Sequence, residues 1–358
     1  MRSVRNHGMM EKTGNRSMQL RRATEKDMDA WDAYVRRHPE STLFHTMAWR
    51  RVIEASFSCE PRYYLVEQEG RIRGVLPLFL VKSLLAGRAL ISVPFSVYGG
   101  ILADNEAATQ LLRDMACREA EANRVDYLEL RNLHPTRSDW PGKNLNVTFM
   151  KEISDDHEEN MKAIPRKQRA MIRKAMKNKV QARVEDDLEG FFEIYSRSVH
   201  AHGTPVYPFA FFRNIREVLG DDCEISFCTD AGGKKISTVM TFYYRDTVMP
   251  YFGGGLPEAR RLKAFDYMYW EVMVRAADAG YRRFDYGRSK VGTGSYRFKK
   301  HWGFEPTELP YEYFLVRSKT VPNVSPANPK YELFIRMWKK LPYPATRVLG
   351  PMLSRHLA

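Results

Sequence analysis

The sequence predicts a mixed α/β fold that is built twice in one chain, with mixed sheets in each half. The order strand, strand, strand, helix, strand occurs once before residue 131 and again after residue 222. Tyr98-Gly99-Gly100 and Tyr251-Phe252-Gly253-Gly254 occupy the same place in the two copies, each before the helix of its copy. Such a repeat indicates two related domains, and 358 residues are enough for each to bury a core.

The first copy is predicted over residues 19–150, after a polar, basic stretch at 1–18 that is predicted to be a disordered leader. Thr24 and Asp27 have the spacing of a capping box, so a helix is expected to begin at Thr24. The other predicted elements are a helix at Met47–Ala55, strands at Arg62–Glu67, Ile72–Val81 and Ala89–Val93, a helix at Glu106–Asn123 and a strand at Val125–Leu130.

The second copy is predicted over residues 181–318 and repeats this order. Its predicted elements are strands at Cys223–Cys228, Ile236–Tyr244 and Thr247–Tyr251, a helix at Leu262–Ala279 and a strand at Arg282–Tyr286. The run Gly253–Gly255 is expected to be a loop between the third strand and the helix.

A basic helix is predicted to link the two copies at residues 151–180. One of its faces is apolar, and the other carries basic residues three or four positions apart: Arg166, Arg169, Arg173 and Lys177. This basic face would suit a polyanionic donor or a diphosphate-linked acceptor. A face that is merely solvated explains the pattern equally well.

A proline-rich linker and a basic amphipathic tail are predicted at residues 319–358. Aromatic and aliphatic residues, including Trp338, line one side of the predicted helix, while Lys and Arg residues lie elsewhere. Two interpretations are open. The helix could dock on the body of the protein, or it could lie as a peripheral anchor on anionic lipid or a membrane-bound partner at the inner face of the membrane.

The net charge of +14 favours anionic partners, because opposite charges attract at long range. Phosphorylated cofactors, nucleotide-linked sugars, tRNA and anionic membranes fit this charge, whereas DNA is not expected as a partner. The four cysteines lack C-x-x-C spacing, and no His, Asp or Glu spacing indicates a catalytic metal. No run of about 18 apolar residues occurs. These patterns predict a cytoplasmic protein.

The segment Tyr281–Phe304, YRRFDYGRSKVGTGSYRFKKHWGF, joins a strand ending in Asp-aromatic-Gly to an aromatic-Phe-Lys run. It resembles the closing signature of FemABX-type transferases and of BioF2-like GNAT (acyl-CoA N-acyltransferase) proteins. The repeat and the basic helix extend the resemblance over residues 19–318. More narrowly, the chain is similar to FemAB-related proteins of PEP-CTERM and exopolysaccharide loci. The resemblance implies two tandem GNAT-like domains, with the active site in the second.

The resemblance also implies transfer of an acyl or aminoacyl group to an amine or hydroxyl of a cell-envelope or exopolysaccharide precursor. The donor would be acyl-coenzyme A or aminoacyl-tRNA, with no permanently bound cofactor. The chain lacks the long coiled-coil insertion of some peptidoglycan members, and its pyrophosphate loop departs from Gln/Arg-x-x-Gly-x-Gly/Ala, so both donors stay open. The alternative is a non-catalytic tandem-GNAT scaffold that binds tRNA, other RNA or another polyanion.

Three residues are the expected catalytic groups. Lys299, which follows Phe298 in the closing signature, is expected to donate to the oxyanion that acyl transfer forms. Tyr251 ends a predicted strand before a glycine run, and the resemblance implies that it contributes to the acceptor site, although a packing role explains it equally well. Asp285 is expected to accept the proton of the acceptor or to orient its amine. Arg288 would hold a phosphate, although Asp285 and Arg288 could equally pair with each other.

The predicted cofactor-binding residues are Gly253 and Gly254, with Arg260 and Arg261 at an expected helix start, where free N–H groups favour phosphate. Further predicted substrate-binding residues are Phe298, Arg169 and Arg173. Three histidines, His45, His200 and His202, could border the cleft or the acceptor pocket, although a lone histidine more often has a structural role.

Overall fold

The computed structural model describes residues 17–83, 87–136, 139–142, 146–321 and 329–356. The predicted leader, apart from its last two residues, and most of the predicted linker before the tail lie outside these ranges. The strands are β1 (Gln19–Arg22), β2 (Glu60–Pro61), β3 (Tyr64–Gln68), β4 (Arg71–Leu76), β5 (Phe79–Ser83), β6 (Gly87–Ile91), β7 (Leu102–Ala103), β8 (Tyr127–Arg131), β9 (Asn146–Glu152), β10 (Gln181–Val184), β11 (Cys223–Thr229), β12 (Lys235–Tyr244), β13 (Thr247–Gly255), β14 (Arg283–Asp285), β15 (Ser289–Lys290), β16 (Pro306–Glu308) and β17 (Tyr311–Leu315). The α-helices are α1 (Met28–Arg37), α2 (Met47–Ser56), α3 (Glu106–Ala122), α4 (His157–Ala163), α5 (Arg166–Lys177), α6 (Leu188–His202), α7 (Phe209–Leu219), α8 (Pro257–Leu262), α9 (Ala264–Asp278), α10 (Gly294–His301), α11 (Pro329–Lys340) and α12 (Tyr343–Ser354).

The predicted mixed α/β fold is confirmed, and the helix starts follow their sequence signals. Thr24 and Asp27 form the expected capping box around a short 3-10 turn that leads into α1. In the linking segment, Pro165 separates α4 from α5, so the basic helix begins at Arg166. A proline at this position costs no hydrogen bond, because the first N–H groups of a helix have no partner within it.

The first copy divides its strands between two sheets. Their orders are β1-β3-β4-β7 and β17-β8-β6-β5-β2. Pro77 separates β4 from β5, so the single strand expected at Ile72–Val81 is in fact two strands in different sheets. The break has a local cause, since proline has no N–H to donate to a ladder and a fixed φ.

The second copy has one sheet of order β10-β11-β12-β13-β14-β9-β15, with β16 also paired to β9. β11, β12 and β13 form an antiparallel meander, whereas β13 and β14 run parallel. The third predicted strand of this copy does not end at Tyr251 but continues through the glycines to Gly255.

The two copies exchange strands. β9 precedes the linking helices in sequence, yet it pairs with β14 of the second copy. β17, near the end of the second copy, pairs with β8 of the first. The predicted boundary at residue 150 therefore falls inside β9. Separating the copies would leave two strand edges unpaired, so the exchange ties them together.

One hydrophobic core continues from the first copy into the second. Trp49 of α2 and Phe211 of α7 are fully buried, and their rings meet edge to face with centroids 6.5 Å apart. α1–α2 and α6–α7 precede the meander of their respective copies, so equivalent helices form the interface. Burial of aromatic rings of this size stabilises the joint arrangement.

The C-terminal helices dock on α6. Trp338 of α11 is buried, and Gly350 of α12 lies against the backbone of Val206. The Tyr343 hydroxyl donates to Glu193 of α6 at 3.0 Å. The inner faces of both helices are therefore held on the body, as one of the two interpretations of the tail expects. In the described ranges, no helix is both long and apolar enough to cross a membrane.

Candidate active site

The second sheet opens between two neighbouring strands. β13 and β14 pair only at Thr247 with Arg283 and at Val248 with Phe284. Beyond these pairs β13 continues to Gly255, whereas β14 ends at Asp285. Ligands of open α/β sheets bind where neighbouring strands diverge, past their carboxyl ends. The parting of β13 and β14 is therefore the candidate site for a donor.

Tyr251 is the extra residue of a β-bulge at this opening. On β12, Met240 pairs with Phe252 and Thr241 pairs with Pro250, so Tyr251 has no partner in the register. A bulge leaves one residue outside the ladder and re-aims its side chain. The backbone at Tyr251 can therefore hydrogen-bond to a ligand instead of to β12.

The Tyr251 ring lies against the first copy. It stacks on Phe242 with centroids 5.2 Å apart and is tilted on Phe44 at 5.6 Å. Its hydroxyl donates to the Phe95 carbonyl at 3.4 Å, a long hydrogen bond. The predicted acceptor-site tyrosine thus lies at the contact between the copies.

Lys299 is buried, with 7% of its surface exposed. Its Nζ donates to the carbonyl oxygens of Tyr286, Gly287 and Arg288 at 2.6, 3.0 and 3.1 Å. An ammonium group has three N–H donors, so these bonds use all of them. Burial lowers the pKa of Lys299 to about 7, opposed by the nearby Asp285 carboxylate. In this structure Lys299 fixes the turn after β14 and presents no free donor.

Asp285 is buried in the contact between the copies. Its Oδ1 accepts hydrogen bonds from the Gly287 N–H at 2.6 Å and from the Tyr98 hydroxyl at 3.3 Å. Burial raises the pKa of Asp285 to about 6. The carboxyl group lines a cavity of about 70 Å³ together with Tyr98 and Met249. A group with this pKa can exchange protons near neutral pH.

Arg288 has an exposed side chain that reaches the exchanged strand β17. Its Nη1 donates to the Tyr311 hydroxyl at 3.3 Å, and its Cζ lies 5.9 Å from the Tyr311 ring centroid. Arg131, at the end of β8, lies 5.7 Å from the same centroid. Arg131 is buried and already paired with Glu129 at 2.8 Å. Tyr311 therefore joins two arginines, of which Arg288 remains accessible to an anion.

The structure brings Lys299, Asp285 and Arg288 to one turn, but Asp285 and Arg288 bond to different partners. Phe298 is half-buried beside them. Its ring packs against Tyr269 and Trp302 with centroids 5.6 and 6.1 Å apart. The helix of the closing signature is thus packed in place through Phe298, and it holds the turn through Lys299.

The glycines predicted to bind a cofactor belong to strand β13 and not to a loop. A Cβ on Gly253 would come within 2.7 Å of the Tyr269 hydroxyl. One on Gly254 would come within 3.0 Å of Ser198 and Tyr195. Glycine is needed at both positions because neighbouring helices pack closely on the sheet and leave no room for a side chain. Gly253 is nevertheless exposed, so its backbone stays accessible at the opening.

Arg260 and Arg261 precede a helix start as expected, but they themselves stand in the last turn of a short helix, α8. The helix that begins nearby is α9, after Lys263 in the left-handed conformation at φ 64°. No side chain caps α9, which leaves its first N–H groups for another acceptor. Both arginines are exposed beside this helix start.

A buried polar group without a partner faces the same region. The Tyr286 hydroxyl has no hydrogen-bond partner among the described residues, although the residue is only 5% exposed. Its ring lies 5.0 Å from Tyr269 of α9. Asp266, in the first turn of α9, accepts hydrogen bonds from Gln168 and Trp302. An unsatisfied buried hydroxyl is costly, which is consistent with a ligand atom that completes this site.

The basic face of α5 is largely solvent-exposed. Arg166, Arg173 and Lys177 are exposed, whereas Arg169 is half-buried. Between residues 166 and 179, no Lys or Arg side chain forms an ion pair with the described part of the chain. α5 packs on α9, and Asn178 at its end donates to the Leu262 carbonyl at 3.4 Å. The C-terminal end of α5 thus adjoins the start of α9.

The first copy has an equivalent place where two parallel strands part. β6 and β8 part after Ile91 and Glu129, beside a cavity of about 310 Å³. Asn132, which follows β8, links the chain before β7 to β17, since its Oδ1 accepts from the Ile101 N–H at 2.9 Å and its Nδ2 donates to Glu312. The N-terminus of α3 is capped by the Asn105 side chain. This cap takes up the Ala108 N–H group, whereas no side chain caps the start of α9.

The three histidines have structural contacts. His45 lines the cavity of the first copy, and burial lowers its pKa to about 4. His202 Nδ1 lies 2.7 Å from the Ser198 carbonyl, and His200 packs on Tyr343. In the described residues, no group of His, Cys, Asp or Glu could hold a metal ion.

Sequence reasoning missed Tyr98, Arg131 and Tyr311 as site residues. Tyr98 belongs to the repeated motif, so its correspondence to Tyr251 was a usable signal. Tyr311 carries no local signal, because the strand exchange alone brings it to Arg288.

Comparison with known proteins agrees with this geometry. A family model described as an acetyltransferase (GNAT) domain matches residues 165–300. The crystal structure of FemX is similar with a TM-score of 0.65 at 16% identity, and the match covers 88% of this chain and 100% of that chain. Among curated protein sequences no relative matches this chain.

Two other solved structures share the fold. A tandem GNAT protein from the clavulanic acid biosynthesis pathway has a TM-score of 0.53 at 9% identity, covering 86% of this chain and 100% of that chain. The C-terminal domain of a protein assigned as a lysylphosphatidylglycerol synthetase of Agrobacterium fabrum has a TM-score of 0.53 at 12% identity, covering 82% and 92%. Residues 165–300 therefore match a GNAT acetyltransferase domain, within a chain that has the tandem GNAT fold.

Proposed function

We propose that the protein transfers an acyl or aminoacyl group from an activated donor to an amine of an anionic acceptor, a cell-envelope or exopolysaccharide precursor. The observation that carries this proposal is the parting of β13 and β14 beside the bulged Tyr251. The opening lies inside the segment that matches a GNAT acetyltransferase domain. At the corresponding place in the first copy, α3 is capped by the Asn105 side chain, whereas the start of α9 is not, so we place the donor in the second copy.

The donor we favour is a coenzyme A thioester. Its pyrophosphate would accept hydrogen bonds from the uncapped N-terminus of α9, because the helix dipole favours negative charge there. Arg260 and Arg261 are exposed next to this helix start and would add charge-assisted contacts. Its thioester would lie between the parted strands.

The acceptor would bind at the contact between the copies. Arg288 offers an exposed guanidinium beside Tyr311, and the buried Arg131, paired with Glu129, lies near the same ring. A guanidinium fork binds phosphate or carboxylate in two-point geometry. We infer that the acceptor carries such a group near its amine.

In the chemical step, the amine nitrogen attacks the carbonyl carbon of the donor, and the carbonyl electron pair moves to oxygen. The backbone N–H at the Tyr251 bulge would stabilise this oxyanion. The carbon–sulfur bond then breaks, and coenzyme A leaves as the thiolate. The proton of the amine passes to Asp285. Lys299 holds the turn that carries Arg288 and balances the charge of Asp285.

The first experiment adds acyl-coenzyme A thioesters one at a time and measures the thermal shift, since a ligand that binds only the folded state raises its melting temperature. We expect a shift with one thioester and its loss in Arg260→Ala/Arg261→Ala. A matched control is Arg282→Ala/Arg297→Ala, which removes two exposed arginines elsewhere in the domain. Thiol release with amino-sugar acceptors then measures turnover. If no thioester binds but an aminoacyl-tRNA is consumed, the donor assignment to coenzyme A is wrong.

A second function is favoured by the cationic face of α5. Its unpaired Lys and Arg side chains could hold tRNA or another polyanion on a scaffold without catalysis. RNA binding that weakens steeply with salt, together with no transfer from any donor, would favour this function. Arg173→Gln/Lys177→Gln should then reduce the slope of log affinity against log salt by roughly 1–2, about 0.9 for each lost phosphate contact.

A further inference from the structure

Exposed apolar side chains are concentrated on the two C-terminal helices. Nine large apolar residues are exposed in the described ranges, and five of them lie on α11 and α12: Leu333, Met337, Val348, Leu349 and Met352. Met337 is 62% exposed and Val348 is 66% exposed. Single exposed apolar residues are ordinary on a soluble surface, but a cluster marks an interaction surface.

These residues form one apolar stripe on each helix. Leu333 and Met337 are four positions apart on α11, and Val348 and Met352 are four positions apart on α12, so each pair shares a face. The opposite faces carry the buried Trp338 and Gly350, which dock on the body. The stripes therefore belong to the outer faces of helices that are already folded.

Basic side chains border both stripes. Arg336, Lys340 and Arg355 each follow a stripe residue by three positions, and all three are exposed. Glu332 is the one acidic residue between positions 332 and 355. It pairs with Arg336 at 3.8 Å, and both side chains are well exposed, so the pair neutralises little.

We propose that the outer faces of α11 and α12 dock on an anionic lipid bilayer. The apolar stripes would enter the boundary between headgroups and acyl chains, while Arg336, Lys340 and Arg355 reach the lipid phosphates. The net charge of +14 draws the protein toward the same surface. A second copy of the chain fits less well, because two copies would bring their basic borders together. The proposal is independent of the acyl-transfer chemistry.

The test is co-sedimentation of the full chain with vesicles of phosphatidylcholine alone and of phosphatidylcholine with phosphatidylglycerol. We expect binding to the anionic vesicles and little binding to the neutral ones. Val348→Ser/Met352→Ser should weaken this binding roughly tenfold or more, because the buried apolar area sets the strength of interfacial binding. Lys340→Gln/Arg355→Gln should weaken it and reduce its sensitivity to salt.

The matched control is Met176→Ser/Val184→Ser, which removes two exposed apolar side chains from the body of the protein. This control should bind vesicles as the unmodified chain does, and all variants should unfold at nearly the same temperature. The proposal is overturned if the unmodified chain ignores anionic vesicles or if the tail variants bind them unchanged. It is also overturned if the chain self-associates in solution and Val348→Ser/Met352→Ser abolishes the association, because a second copy then covers the stripes.

Discussion

The hydroxyl of Tyr98 lies 3.3 Å from Oδ1 of Asp285, so a residue of the first copy completes the surroundings of a buried carboxyl group in the second. Tyr98 also hydrogen-bonds to Thr148 of β9, the strand that crosses between the copies. The candidate base is therefore held by both halves of the chain. Changes at the contact between the halves should alter catalysis as well as stability.

The pH dependence of transfer should be bell-shaped. The pKa of Asp285 is raised to about 6, so the group cannot accept a proton at lower pH. The pKa of Lys299 is lowered to about 7, so above that pH it loses its charge and one of three N–H donors. We expect kcat/KM to be highest between these values. A profile that stays flat across this interval would contradict both assignments, and Asp285→Asn should remove most of the activity.

The turn after β14 should depend on Lys299. Lys299→Met leaves three carbonyl groups without their donor, which should lower the free energy of unfolding by about 2–4 kcal/mol. Because the turn carries Arg288, KM for the anionic acceptor should rise as well. Urea unfolding and steady-state kinetics measure the two effects. The control is Lys300→Met, an exposed neighbour that should change neither.

Arg288 should act on binding more than on the chemical step. Removing its guanidinium in Arg288→Ala should raise KM for an anionic acceptor roughly tenfold, the loss expected for one charge-assisted hydrogen bond. Its side chain is exposed, so the melting temperature should change little. Arg297→Ala, on α10, serves as the control. An equal loss in both variants would show that general charge, and not the position of Arg288, governs acceptor binding.

The glycine run should be sensitive to added volume. A Cβ at Gly255 would lie 2.6 Å from Phe265 and 3.0 Å from Ala259. Gly255→Ala should therefore destabilise the fold by about 1–3 kcal/mol through overpacking. Gly294→Ala is the matched control, because no atom lies within 4 Å of its added Cβ. Similar thermal unfolding of the two variants would contradict the packing role of the run.

Local patterns predicted the elements that depend on neighbouring residues. The capping box at Thr24 and Asp27, the helix α5 after Pro165 and the repeated order of elements all follow from spacing within a few turns. The closing signature singles out Lys299, and the structure brings it to the turn after Asp285. The predicted phosphate loop at Gly253–Gly255 is a strand, because helix packing on β13 decides its structure.

The sequence by itself determined the repeated α/β unit, the basic linking helix and the residue types of the closing signature, since all three depend on periodicity and composition. Only the tertiary structure decided that β9 and β17 exchange places. That exchange brings Tyr311 to Arg288 and Thr148 to Tyr98. Pairing between strands more than a hundred residues apart depends on which edges are free after the sheets form, and no local pattern specifies it.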